Sequence, residues 1–156
     1  MIRLSRITDY GIVLMTHLAQ APGETQNARE ASEATGLPQP VVSKILKTLA
    51  RGELVESQRG AKGGFRLARP ASQISVPQMI AALEGPIALT DCTLHEGACV
   101  QEPSCHVREP WQRINQVVET ALEQISLADL ATPAPGQIIP LASLGIDPAS
   151  VGSSDS

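Results

Sequence analysis

The sequence predicts a mainly α fold with a small β-hairpin wing, a winged helix-turn-helix followed by a long C-terminal helix. Three observations predict it. Within the first fifty residues two segments carry apolar residues at helical spacing, with a short helix ended by Gly36 between them. Two short runs then flank a glycine-rich turn, the mark of a β-hairpin. A second apolar stripe of helical period opens at Pro110. The chain has 156 residues, room for one compact domain with appendages. Its core must be aliphatic, since Tyr10, Phe65 and Trp111 are its only aromatic residues.

Leu4, Ile7, Gly11, Leu14, Met15 and Leu18 place a first helix over about 6–20, stopped by Ala21-Pro22-Gly23. A short second helix covers roughly 27–35. It ends at Gly36, suited to a left-handed residue, with apolar Leu37 after it. Pro40 lies in the first turn of a third helix, where a missing N–H costs nothing. Val41, Val42, Ile45, Leu46 and Leu49 give that helix a buried face, and Gly52 closes it. The hairpin runs from Leu54 to Gln58 and back through Phe65-Arg66-Leu67, around Arg59-Gly60-Ala61-Lys62-Gly63-Gly64. Ser75 and Gln78 form a capping box for a short fourth helix that ends before Gly85-Pro86.

Four regions follow: a winged helix-turn-helix over 1–84, a cysteine loop over 85–108, a long helix over 109–130, and a tail over 131–156. Residues 87–108 show no period. Trp111, Ile114, Val118, Ala121, Leu122 and Ile125 share one stripe of the long helix. The tail is rich in Pro, Gly, Ala and Ser and holds no Lys or Arg, a composition of disordered chain.

The net charge of −4 is unevenly divided. Residues 1–70 carry ten Lys and Arg against six Asp and Glu, whereas residues 71–156 carry two against ten. Local charge attracts phosphate, so the first half can bind nucleic acid and the acidic half faces away. In a winged helix-turn-helix the helix over 27–35 braces the backbone and the helix over 40–50 enters the major groove of double-stranded DNA. Its buried face leaves Gln39, Ser43, Lys44 and Lys47 pointing outward. The first three can address base edges, and Lys47 is placed for phosphate. Arg59 and Lys62 on the wing suit a narrow minor groove. Lys44 and Lys47 taken singly are what any solvated helix face carries. Three aligned helices with a basic wing are the stronger signal.

Three cysteines cannot close a disulfide framework. No secretory signal and no apolar run of bilayer length is visible, which predicts a cytoplasmic protein without membrane contact. In a reducing compartment clustered thiols are more often metal ligands or redox groups. Six residues separate Cys92 from Cys99 and five separate Cys99 from Cys105. Structural zinc sites usually pair cysteines two residues apart, and a loop holding Glu96, Gly97, Glu102 and Pro103 is a poor place to bury free thiols. An iron–sulfur cluster is larger than one ion and tolerates wider spacing. Three thiolates leave one coordination position, for which His106, His95 and Glu96 are nearby candidates. His17 is assigned to packing.

The opening Ile2-Arg3-Leu4-Ser5-Arg6-Ile7-Thr8-Asp9-Tyr10-Gly11, the wing Arg59–Phe65 and the three-cysteine loop resemble the iron–sulfur winged-helix regulators of the IscR and NsrR type. Gly85–Cys92, Trp111–Asn115 and Ser126–Leu130 look most like the subgroup that regulates the SUF cluster-assembly operon. The resemblance covers about residues 1–131. It implies a homodimer in which 109–130 is the dimerisation helix, with one cluster per subunit controlling operator binding. In NsrR-like members an acidic residue of the partner's first helix completes a 4Fe–4S site, a role that falls on the partner subunit's Asp9. In IscR-like members a His three positions after the last Cys completes a 2Fe–2S site. Here that position is Arg108, which cannot ligate, and His106 directly follows Cys105. Asp9 is therefore the first choice and His106 the second.

The function expected is a DNA-binding repressor of iron–sulfur assembly genes, acting on a palindromic operator and switched by cluster loss. A nitric-oxide-sensing repressor of the same family, an iron–sulfur carrier and a zinc-stabilised winged-helix module are the rivals. No arrangement of Ser, His and Asp, no phosphate-binding glycine loop and no paired carboxylates argue for an enzyme.

Overall fold

The structure, a computed structural model, describes residues 3–94, 97, 99–100 and 104–132. Ser5 opens α1 (Arg6–Gln20), its hydroxyl accepting from the Thr8 N–H at 3.3 Å. The helix buries Gly11, Leu14, Met15 and Leu18. At Gly11 a methyl group would meet the Cδ atoms of Leu83, so the missing side chain leaves room for that leucine against the helix. Asn27 caps α2 (Ala28–Thr35) by accepting from the N–H groups of Arg29 and Glu30 at 3.0 and 2.9 Å. Glu30 returns the bond to the Asn27 N–H at 2.8 Å. Gly36 ends the helix at φ 72°, as its sequence position predicts.

Helix α3 (Gln39–Arg51) fully buries Val42, Ile45, Leu46 and Leu49, while Val41 stays half-buried. The sequence reading closes this helix with Gly52. The structure has Gly52 as the C-cap, its N–H donating to Thr48 O at 3.0 Å, and the left-handed residue follows at Glu53, φ 58°. Gly52 has ordinary φ and is small for another reason: a Cβ there would sit 2.8 Å from the Cβ of Ala82.

Strands β1 (Val55–Gln58) and β2 (Gly64–Leu67) pair antiparallel, with Val55 opposite Leu67 and Gln58 opposite Gly64. The wing is anchored at its root. Gln26 and Phe65 exchange backbone hydrogen bonds of 3.0 and 2.7 Å, tying β2 to the chain entering α2. His17 reinforces the same place through Nε2 against Gln26 Oε1 at 2.6 Å.

A short 3-10 turn (Ala71–Gln73) leads to α4 (Val76–Leu83). Gln78 accepts from the Ser75 N–H at 3.1 Å, which is the predicted capping box. Within the stretch read as aperiodic, Asp91–Leu94 forms one helical turn, α5. It is nucleated by Thr90 and Thr93, which trade hydrogen bonds of 2.7 and 3.3 Å.

The long helix expected over 109–130 is two helices. α6 (Arg108–Glu123) begins before Pro110, and α7 (Leu127–Ala131) follows a break. Ser126 and Asp129 cap α7 reciprocally at 2.8 and 3.2 Å, and hydrogen bonds from Ser126 hold the Asp129 carboxyl below the usual range. The break lets residues 125–127 pair with the chain before α4. Val76 N–H donates to Ile125 O at 3.0 Å and Leu127 N–H to Ile74 O at 2.7 Å. Ile125 thus leaves the apolar stripe of α6, and Leu127 becomes a fully buried part of the winged-helix core beside α1.

That core gathers Leu14, Met15, Ile45, Leu46, Leu49, Met79 and Leu127. Each such burial contributes about 1.5–3 kcal/mol. The tail expected over 131–156 lies, from residue 133 onward, outside the described residues. Among the described residues no helix is long and apolar enough to cross a membrane.

Candidate nucleic-acid interface and cysteine loop

Burial of Val42, Ile45, Leu46 and Leu49 turns the opposite edge of α3 outward. Gln39, Lys44 and Lys47 are exposed on it and Ser43 is half-buried. Arg59 and Lys62 are exposed in the wing turn. Gly63 N–H donates to Gly60 O at 2.9 Å and fixes that turn, with Gly60 at φ 116°. A Cβ at Gly63 would meet the carbonyl oxygen of Gln58 at 2.5 Å, so the tip needs glycine.

Among the described residues the ion pairs are Arg29 with Glu33 at 2.8 Å and Arg66 with Glu56 at 3.0 Å. Neither uses the cations of α3 or of the wing turn. Lys44, Lys47, Arg59 and Lys62 therefore keep their charge for an external anion.

Cys92, in α5, is 8% exposed, and its Sγ lies 3.1 Å from Thr90 Oγ1. Cys99 and Cys105 are half-buried, His106 is exposed, and all three thiols are free. His95 and Glu96 lie outside the described residues. Among the described residues no three His, Cys, Asp or Glu side chains converge as a metal-holding group. Asp9 is exposed in an open cleft with Arg3, Arg6, Tyr10 and Glu84, and no cysteine lines that cleft.

Glu84 was not legible as a site residue. Its Oε1 accepts from the Ser5 N–H at 2.6 Å and from the Thr8 hydroxyl. Hydrogen bonds from Ser5 and then Thr8 hold this carboxyl below the usual carboxylate range. The end of α4 is thereby fastened to the start of α1, one turn before Asp9. Asn115 was also missed. Its amide accepts from Leu89 N–H at 3.0 Å and donates to Ile87 O at 3.1 Å. The available signal was a polar residue standing in line with Trp111, Val118 and Leu122 on an otherwise apolar stripe.

The outer face of α6 carries Trp111, Ile114 and Val117, all exposed, with Leu94 and Val107 exposed nearby. An amphipathic helix that buries only Asn115 in its own chain has its apolar side uncovered.

The sequence model of Rrf2, described as an iron-dependent transcriptional regulator, matches residues 4–133. The chain belongs to the Rrf2 family. It is accordingly a DNA-binding transcriptional regulator, and the winged helix with its basic edge is the part that fits that role. Among solved Rrf2-like structures it is similar to CymR (YrzC), the global cysteine regulator of B. subtilis. That likeness has TM-score 0.66 and 29% identity over 84% of this chain and 97% of that one. It is similar to T. potens IscR, with TM-score 0.62 and 30% identity over 86% of this chain and 94% of that one. The oxidised form of Staphylococcus aureus CymR gives TM-score 0.64 and 26% identity over 86% of this chain and all of the other. The mainly helical architecture with its two-stranded wing is common to an Rrf2 regulator of this type.

Proposed function

We propose that this chain is a cytoplasmic, homodimeric repressor of iron–sulfur assembly genes that reads an iron–sulfur cluster held by Cys92, Cys99 and Cys105. One observation carries the reading. Three free thiols lie within a short loop fastened to the same helix that exposes an apolar face. The donor set fits the group: three cysteines without a disulfide, one buried and two accessible, suit a thiolate-ligated cluster open to solvent on one side. The partner subunit's Asp9 is the first choice for the remaining position, because Asp9 is exposed and free of cysteines in its own chain. His106, exposed and adjacent to Cys105, is the second. When bound, a 2Fe–2S or 4Fe–4S group would supply a redox-labile crosslink between these side chains.

The protein's own residues do the rest. Trp111 and Ile114 pack against a second copy of α6 and set the separation of two α3 helices. Gln39, Ser43 and Lys44 then face bases, and Lys47, Arg59 and Lys62 face phosphates or the minor groove of a palindromic operator. Its half-sites lie one or more turns apart, roughly 34 Å per turn. Regulation needs the two cysteine-loop states to differ in operator affinity, by about 1–3 kcal/mol of coupling.

The experiment is anaerobic purification with iron and acid-labile sulfide quantification, followed by operator binding with and without the cluster at fixed salt. Cluster-bearing protein is expected to hold the operator more tightly, and Cys99→Ala to lose sulfide while keeping its fold. Equal operator affinity of the two forms overturns the reading. Protein that carries no sulfide yet responds to thiol oxidation would identify a cluster-free thiol regulator instead. A release faster with nitric oxide than with iron chelation would identify a nitric-oxide sensor.

A further inference from the structure

Asn115 is one of two buried polar side chains among the described residues, only 8% exposed on a helix otherwise open to solvent. A carboxamide offers one acceptor and one donor side, and both are used. Oδ1 takes the Leu89 N–H at 3.0 Å, and Nδ2–H gives to Ile87 O at 3.1 Å. The amide binds residues 87–89 as a neighbouring strand's peptide would, satisfying two backbone groups that have no partner in secondary structure. Thr90 follows at once and makes the tight turn with Thr93. Cys92 sits in that turn, shielded and in contact with Thr90 Oγ1. Cys99 and Cys105 are half-buried.

We infer that Asn115 is the positioning residue of the cysteine loop: its amide locks residues 87–89 onto α6 and thereby sets where the Cys92 thiol stands. The consequence rests on the cluster reading above. One thiolate is pre-placed against α6 by the anchored turn, and Cys99 and Cys105 supply the other two. The same helix carries Trp111 and Ile114 on its outer face, so a shift of Cys92 reaches the subunit contact through a single side chain. Asp at this position would keep the acceptor but turn a second lone-pair oxygen against the Ile87 carbonyl. Ala would abandon both backbone groups.

The test uses the full chain without cluster, reduced, with iodoacetamide as probe and mass spectrometry as readout at each cysteine. In the unaltered protein Cys92 is expected to react more slowly than Cys99 and Cys105. In Asn115→Ala and in the near-isosteric Asn115→Asp, Cys92 should react roughly tenfold faster, the factor that losing about one buried hydrogen bond allows. Cys99 and Cys105 should keep their rates. An unchanged Cys92 rate overturns the inference, and so does equal acceleration of all three, which would mean general loosening. If Asn115→Ala does not fold, Asn115→Asp carries the same test. A second arm adds iron and sulfide and records visible circular dichroism. The variants are expected to give a shifted or weakened spectrum, where a role in stability alone would leave it unchanged. If even the unaltered protein takes up no cluster, the cluster reading fails while the alkylation result still decides the place of Asn115.

Discussion

The winged-helix half and the cysteine-loop half of this chain are built on opposite terms. In the first, α3 buries four side chains completely and turns a charged edge outward, so that one helix both makes the core and presents the surface. In the second, α6 is twice as long as α2 yet buries only Asn115, leaving Trp111, Ile114 and Val117 exposed. The first half is complete in one copy. The second is held to it where residues 125–127 pair with the chain entering α4 and where α6 packs against α4, while the Asn115 amide ties the cysteine loop to α6 within the second half. A DNA reader whose core is closed within one chain, Leu127 of α7 included, joined to a half with an uncovered apolar face, suits a regulated binder. The reading surface is fixed, and its placement is left to contacts that a signal can change.

The sharpest way to break this comparison is to damage each half in turn. Leu46→Ala empties a fully buried site in α3 and should cost about 2–5 kcal/mol of unfolding free energy, read by urea denaturation. Ile114→Glu changes a residue already 46% exposed, so the single chain should keep nearly all its stability. It should instead sediment as a monomer and lose operator affinity by roughly 10²-fold, the lower range of what linking two binding sites supplies. If Ile114→Glu unfolds the chain, or leaves it dimeric with full affinity, the division drawn above is wrong.

Within the first half a finer separation is expected. Lys44→Ala should cost about 1–3 kcal/mol of operator binding and relax sequence preference, as loss of a base contact does. Lys47→Ala should weaken binding evenly across sequences and lower the log–log salt slope by about one. Titrations against operator and random DNA at several salt concentrations distinguish them. Identical behaviour of the two variants would show that both residues serve the phosphates.

How legible each half was follows from the same difference. Periodicity and caps gave the bounds of α1, the left-handed Gly36, the wing and the Ser75–Gln78 box, because each is settled by residues within a few positions of one another. Long-range pairing was invisible. Ser126 looked like one residue in a continuing helix, and only the backbone bonds of Ile125 and Leu127 to the chain before α4 show why it stops there. Gly52 does stop α3, but local reasoning cannot see the second demand on it, the approach of Ala82. At the site, the outward edge of α3 could be counted off a helical wheel. Asn115 and Glu84 could not, since their partners lie 26 to 79 residues away. The clustering of Cys92, Cys99 and Cys105 was plain in the sequence, yet spacing gives no means of telling which thiol is anchored.

The smallest effect expected comes from the clasp between α4 and α1. Glu84 is an exposed carboxylate, so its bonds to Ser5 and Thr8 are screened by water and salt, and Glu84→Gln should cost only about 0.5–1 kcal/mol near neutral pH. The pH dependence has a definite sign. Its carboxyl is held below the usual range in the folded chain, so the unfolded state takes up a proton first as pH falls. The stability it adds is fully present above the ordinary glutamate range, near about pH 4.3, and fades as pH drops through that range toward the lower folded value. The gap in melting temperature between the unaltered protein and Glu84→Gln should therefore be constant from pH 7 to about pH 5 and close on further acidification. A gap that persists unchanged at pH 3, or is absent at pH 7, would mean that Glu84 does not fasten α4 to α1 through its charge. The start of α1, and with it Asp9, would then be placed by packing alone.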